Sequence, residues 1–353
     1  MVSVHHLLRI CTTAVCAISI ILTPRPTPLH AQPTTPRVVI ADYMMWYEPS
    51  LFDGTQTFDT PLAGPYRSGD DATIQRHVAQ AQQACLDGFA PHWYGPFEPI
   101  TTQNFAKLLR YSEGTSLRHA IVLQTNVLPQ ISESVLTEAL RFLIEQWTPH
   151  PNYLKIEGRP VILFTDMPRP WGSPSAALRG WKRVRDATDP QRRTIWMAEG
   201  YTTAFNPLFD GLYIYRIDHK NTPRAWLRQP FWAKRLRQVA AKHQTRLFFA
   251  DTIAPGYDDT RSRRVPVDHR VPSPSFARDR RNGEYYRETF EVTRQTNGDF
   301  LVVKSFNEWV EGTSIEPGTT YGDRYLQLTC ELANLYRQAT PSNTEQARFN
   351  SQP

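Results

Sequence analysis

Cysteine is scarce in this chain of 353 residues: there are four, and two of them, Cys11 and Cys16, lie in an apolar N-terminal segment. No Cys-x-x-Cys spacing occurs, so a structural zinc frame is not supported, and nothing calls for a metal or a cofactor. Stability must come from a large buried core, which a chain of this length can form without covalent staples. Dense runs of Lys and Arg are also missing. The 40 basic and 34 acidic residues give a formal net charge of +6, which becomes +4 if Arg9 and Arg25 leave with a leader. A charge so mild and dispersed argues against nucleic acid as a partner. No Gly-x-Gly-x-x-Gly follows the first apolar run, which disfavours a doubly wound dinucleotide-binding sheet. The N-terminal run 7–22 is too short and interrupted to span a membrane, and it passes through a Pro-rich stretch to Leu29-His30-Ala31. Residues 1–31 read as a signal peptide, so the protein is expected to be secreted or extracytoplasmic, with membrane attachment only if that segment is retained. The polar tail 341–353 reads as disordered.

What is present is a repeating order. Apolar, β-branched or aromatic runs occur at 38–47, 88–94, 119–125, 160–165, 194–198, 211–217, 246–253 and 299–306. Helical periodicity follows at 72–84, 105–111, 135–147, 176–184, 226–242, 285–294 and 325–337. The weak link is 203–209, too short and Pro-broken for more than a turn of helix. Strand then helix, repeated about eight times with strands apolar throughout, predicts a single-domain α/β fold, a (β/α)8 TIM barrel over residues 36–340. The charged, Pro-containing segment 258–283 reads as a long loop, either a solvated face or an active-site wall.

In such a barrel the C-terminal strand ends form the site. That places Trp46, Tyr47, His92, Trp93, Tyr94, Asn126, Asp166, Glu199, Tyr201, the run Tyr215 to Asp218, Asp251 and 307–311 at the rim. Rings, amides and acids suit the C–H faces and hydroxyls of sugars better than they suit phosphate. Each has a plainer reading: Trp46 and Trp93 as plugs closing the barrel, Asp166 as a cap, Glu199 as a partner of Arg216, His92 as a structural hydrogen bonder. The sharpest feature follows the run 300–303 and Lys304. There Ser305-Phe306-Asn307-Glu308-Trp309-Val310-Glu311-Gly312-Thr313 sets two carboxylates three residues apart where a strand stops. A bare Glu-x-x-Glu is common on solvated turns, but here Asn307 and Trp309 flank Glu308, and paired carboxyls are the equipment of glycosidic bond cleavage.

The fuller string S-F-N-E-W-V-E-G-T-S-I-E-P, residues 305–317, resembles the signature of glycoside hydrolase family 99, the endo-α-mannosidase and endo-α-mannanase family, usually N-E-W-H-E-G-T-x-I-E-P. Leu62-Ala63-Gly64-Pro65-Tyr66-Arg67-Ser68 with Asp70, Ile74, His77 and Ala84 is similar to a second block. So are Asp87-Gly88-Phe89 leading to His92-Trp93-Tyr94-Gly95, residues 154–161, and Pro255-Gly256-Tyr257-Asp258-Asp259-Thr260. Departures are Val310 where the family has His and Cys85 where Gly is common; Val310 bears on the substrate more than on the reaction. The resemblance implies an oligo- or polysaccharide substrate of α-mannan type cut internally with retention. Glu308 would take the proton of the sugar 2-hydroxyl to give a 1,2-anhydro intermediate, and Glu311 would be the acid/base. Direct nucleophilic attack stays open, as do a catalytically silent carbohydrate-binding barrel and a polysaccharide-assembly protein. Asn307 is expected to hold Glu308 ionised, and Tyr257 to join the substrate-binding set. The chain is read as a monomer.

Closure of an eight-fold barrel sets its first and last helices side by side. Cys85 and Cys330 should therefore be neighbours, either joined or as two buried thiols.

Overall fold

The computed structural model describes residues 37–125, 132–167, 171–219, 224–262 and 276–339. The expected leader 1–31, the expected disordered tail 341–353 and Asn126 lie outside the described residues. Eight strands alternate with helices: β1 Val38–Tyr43, β2 Gly88–Trp93, β3 Val122–Gln124, β4 Arg159–Thr165, β5 Ile195–Glu199, β6 Gly211–Tyr213, β7 Phe248–Ile253 and β8 Phe300–Val303. Every neighbour pair is parallel, β3 bonds to β4, and β8 returns to β1, so the sheet closes with no free edge. This is the (β/α)8 barrel that the apolar runs predict.

Helices α1 Asp71–Gln83, α2 Pro99–Tyr111, α3 Glu133–Phe142, α4 Pro174–Thr188, α5 Gln229–His243, α6 Glu284–Glu291, α7 Thr293–Thr296 and α8 Arg324–Gln338 surround it. Several starts are written locally. Glu98 accepts from Ile100 N and Thr101 N before α2, Ser132 caps α3, Ser173 caps α4, and Pro occupies the first turn of α2, α4 and α5. Between β5 and β6 the chain makes only turns, as the Pro-broken 203–209 segment foretells. Among the described residues, no helix is long and apolar enough to cross a membrane.

Both faces of each strand are buried, and alternation decides which residue goes where. Ile40, Ala90, Val122, Val161, Leu163, Ile195, Met197, Tyr213, Phe248, Ala250, Phe300 and Val302 fill the barrel interior as one cluster. Their neighbours in sequence, among them Val39, Phe89, Trp93, Phe164, Trp196, Ile253 and Leu301, pack outward against the helices in a second cluster. Gly88 is dictated by crowding: a Cβ there would lie 1.5 Å from the Arg118 carbonyl oxygen. Cys85, just past α1, is bonded to Cys330 in α8, 245 residues away, so the closure of the barrel is also covalent.

Strands β1 and β8 stop earlier than their apolar runs, at Tyr43 and Val303. Beyond them Lys304 N donates to Ile253 O and Phe306 N to Asp42 O, both at 2.8 Å, and side chains complete the hold. The Asn307 carboxamide accepts from Met44 N at 2.7 Å and donates to Met44 O at 2.9 Å, tying the two strand exits together.

Candidate active site

The segment carrying both carboxylates folds on itself. Ser305 N donates to Thr313 O, Ile315 N to Ser305 O, and Gly312 N to Trp309 O, each at 3.0 to 3.1 Å. Gly312 sits at φ +61° and passes so close to residue 258 that a Cβ would lie 3.0 Å from Asp258 N, which makes glycine the residue for this turn. Glu308 N is bonded to Ser305 Oγ at 2.7 Å, and Glu311 O accepts from Asp258 N at 2.8 Å.

Glu308 is buried at the β8 exit. Tyr47 donates its hydroxyl to Glu308 Oε1 at 2.9 Å, and the Tyr47 phenolic oxygen in turn accepts from Trp309 N at 2.8 Å and Val310 N at 3.3 Å. Burial first, then the Glu308 charge, push the Tyr47 phenol well above its ordinary range, so it stays protonated and donates. Glu311 is more open, and Lys304 Nζ stands 3.5 Å from its Oε2. That ammonium is itself buried, 4.3 Å from the centre of the Tyr215 ring and 5.1 Å from that of Tyr257. Burial and then the charge of Glu311 raise the Tyr215 phenol as well. Trp46 stacks on Tyr47 at 4.5 Å, and Tyr94, raised by burial and by Glu308, lies beside Trp46. His92 points into the barrel, 3.3 Å from Asp42 Oδ1 and bonded to Gln124. Thus Tyr47, His92, Tyr94, Trp46, Tyr215, Tyr257, Glu308 and Glu311 are brought to one end of the barrel.

Four other expectations need correction. Trp93 is fully buried on the helix side of β2, donating to Thr102 Oγ1 and packed at 4.9 Å on Trp147, so it belongs to the outer core. Asp251 also faces outward, where it accepts from Thr296, Gly298 N and Tyr336 next to the start of β8, at the opposite end from the rim. Trp309 is 2% exposed, edge-on to Phe52, and its indole N–H is on Glu316 at 3.0 Å, so it braces the loop. Asn307 spends its amide on Met44 and Tyr66 and not on Glu308, whose hydrogen bond comes from Tyr47. The position of Val310, where His is usual in the family, is buried.

The candidate set overlooks a deeper layer. Glu316 accepts from Tyr66 and Trp309 and meets His77 Nε2 at 2.9 Å, while His77 Nδ1 meets Tyr43 OH at 2.9 Å. Asp42 and Lys304 share the interior parity of Ile40 and Val302, which is the signal that would have found them. Glu199, likewise interior, is raised by burial against the opposing pull of Arg216. Among the described residues, no group of three His, Cys, Asp or Glu could hold a metal ion.

A closed parallel barrel with two carboxylates on its last strand exit and aromatic rings around them defines the class: a (β/α)8 protein with its site at the C-terminal rim. The family model described as Glycosyl hydrolase family 99 matches residues 32–348, and the chain belongs to that family. It is 23% identical over 307 residues to glycoprotein endo-alpha-1,2-mannosidase of Rattus norvegicus, covering 79% of this chain and 62% of that protein. With the glycoprotein endo-alpha-1,2-mannosidase-like protein of Homo sapiens it shares 24% over 303 residues, again 79% of this chain and 62% of the relative. The chain thus spans less than two thirds of these curated relatives. Among solved structures, the GH99 endo-alpha-mannosidase from Bacteroides thetaiotaomicron superposes with a TM-score of 0.68 at 20% identity, covering 86% of this chain and 98% of that one. GH5_18 from Streptomyces cattleya superposes at 0.54 with 12% identity over 86% of this chain and 82% of its own. These likenesses carry the fold.

Proposed function

We propose that the protein is a secreted, monomeric, endo-acting glycoside hydrolase that cleaves internal α-linked mannose-type bonds in oligo- or polysaccharides with retention. The observation that carries this reading is the pairing at the β8 exit: Glu308, buried and gripped by a protonated Tyr47, and Glu311, more open and facing Lys304, on one closed loop. Family membership and the names of the relatives support the substrate class. Glu308, oriented by Tyr47, takes the proton of the 2-hydroxyl, whose oxygen attacks its own anomeric carbon and expels the leaving sugar as a 1,2-anhydro ring forms. Glu311 delivers a proton to that leaving oxygen, then takes one from the water that attacks the anomeric carbon, while the C1–O2 bond breaks and Glu308 returns its proton to the 2-oxygen, which restores both carboxyl groups.

Release of reducing ends from α-mannan by the purified protein, with product anomers followed by NMR, tests this directly. Glu308→Gln and Glu311→Gln should each abolish turnover and keep oligosaccharide binding. Glu311→Gln should recover in part on a substrate with a very good leaving group, and Glu308→Gln should not. Binding without any release by the unaltered protein would establish a silent binding barrel in its place. More than a few per cent of activity in either variant would remove that residue's role.

A further inference from the structure

Beyond the carboxylate pair, three buried polar groups from two rim segments, the β6–α5 connection and the start of α6, gather without hydrogen bonds of good geometry. Asp218, beyond β6, is 1% exposed, and neither of its carboxylate oxygens has a hydrogen bond. The Trp226 indole N–H and the Tyr285 hydroxyl, both buried, are unmatched as well. The three are neighbours. Trp226 N donates to Ile217 O at 2.7 Å, next to Asp218 in the chain. After burial, the charge of Asp218 acts most strongly on the Tyr285 phenol, and the Trp226 indole faces that phenol without a bond of good geometry. Lys304, Glu311 and Arg278 are the charges that act on Asp218, so this corner adjoins the candidate catalytic pair.

Buried polar atoms left unmatched cost stability, and such a cluster asks for something to fill it. A cation is a poor occupant, since Lys304 and Arg278 already stand near and only one carboxylate is present. An anion is repelled by Asp218. What fits is a neutral polyol: two carboxylate oxygens to accept from adjacent hydroxyls, an indole N–H to donate, a phenol to do either, and ring faces for C–H groups. We propose that Asp218, Trp226 and Tyr285 form a sugar-ring subsite beside the reacting centre, with a vicinal diol of the glycan on the Asp218 carboxylate. This rests on the hydrolase reading only in taking the ligand to be a glycan.

Binding of α-linked mannooligosaccharides of two to five units to the full-length Glu311→Gln protein, measured by calorimetry, separates the two ideas. Adding Asp218→Leu should weaken binding at least tenfold for the longer members and much less for the disaccharide, and should leave or raise the melting temperature. Adding Tyr285→Phe, which keeps the ring and removes only the hydroxyl, should weaken the same members about threefold. Equal affinity in all three proteins would overturn the subsite and leave a water-filled corner. Should Asp218→Leu fail to fold, Asp218→Asn and Tyr285→Phe decide, and unchanged binding in both overturns the proposal. Length-dependent loss in a protein that cleaves none of these glycans would uphold the subsite and remove the hydrolase reading. A protein that binds no member of the series loses both.

Discussion

Replacing Tyr47 with Phe removes one oxygen that serves three bonds: 2.9 Å to Glu308 Oε1, 2.8 Å from Trp309 N and 3.3 Å from Val310 N. The ring volume stays, so no cavity of consequence opens. A hydrogen bond to a carboxylate is worth about 1.5–3 kcal/mol, and a buried N–H deprived of its acceptor costs about 1–3 kcal/mol. Partial relaxation of the loop offsets some of this, leaving a stability loss of roughly 2–4 kcal/mol, readable in urea as a lower midpoint with an unchanged slope. The effect on rate has a different origin. Without the phenol, Glu308 is no longer fixed on its rotamer, and a loss of about 10- to 100-fold in kcat corresponds to roughly 1.4–2.7 kcal/mol of barrier. Binding of an oligosaccharide by the variant should stay close to that of the parent, because the bond lost lies beneath the sugar. A variant with kcat within twofold of the parent, or with unaltered stability, would refute the view that Tyr47 positions the base.

Asp251 gives a prediction in pH. Burial pushes its carboxyl from an ordinary value of 3.8 up to about 7, against the bonds from Thr296 and Tyr336. The folded state therefore binds a proton that the unfolded state releases above pH 4, so stability should fall as pH rises from about 4 to 7 and level off beyond, by up to about 4 kcal/mol. Asp251→Asn should flatten that slope in denaturant titrations taken across the window; an unchanged slope would assign it to other groups. The Cys85–Cys330 bridge closes a loop of 245 residues. Replacing both with Ser should lower the melting temperature, with a loss on the order of 5 kcal/mol as the chain-entropy ceiling; equal melting of the two proteins would show that the bridge adds nothing to equilibrium stability.

Much of this architecture is legible in the chain because parallel barrel strands are apolar on both faces. The same property hides their phase. In 88–94 nothing in the residue types says that His92 turns inward and Trp93 outward, and in 248–253 nothing says that Ala250 lines the barrel while Asp251 meets the helices. One interior position per strand would have fixed the rest, and with it Asp42 and Lys304. The carboxylate loop was readable because its chemistry and its turn glycine sit together in sequence. Its supports were not, since Tyr47, Tyr66 and His77 reach it from some 240 to 260 residues away. Asn307 and Trp309 look like sugar contacts by type, and only the partners they meet reveal them as braces.

The bracing of that loop has a consequence for how the protein can change. Glu316 is bound by Tyr66, Trp309 and His77, and Asn307 by Met44 and Tyr66, so the side chains of the segment 305–316 are fastened to the first βα unit, while Asp258 N and Arg280 hold its backbone carbonyls at Glu311, Gly312 and Ser314. Residues some 240 to 260 positions apart become a single mechanical block made from the two ends of the chain. Transplanting the carboxylate loop into another barrel would deliver a floppy pair of acids unless residues 42–77 travelled with it. Among the described residues, none of the side-chain bonds just named comes from β3 to β6, so that block is defined by the chain's two ends.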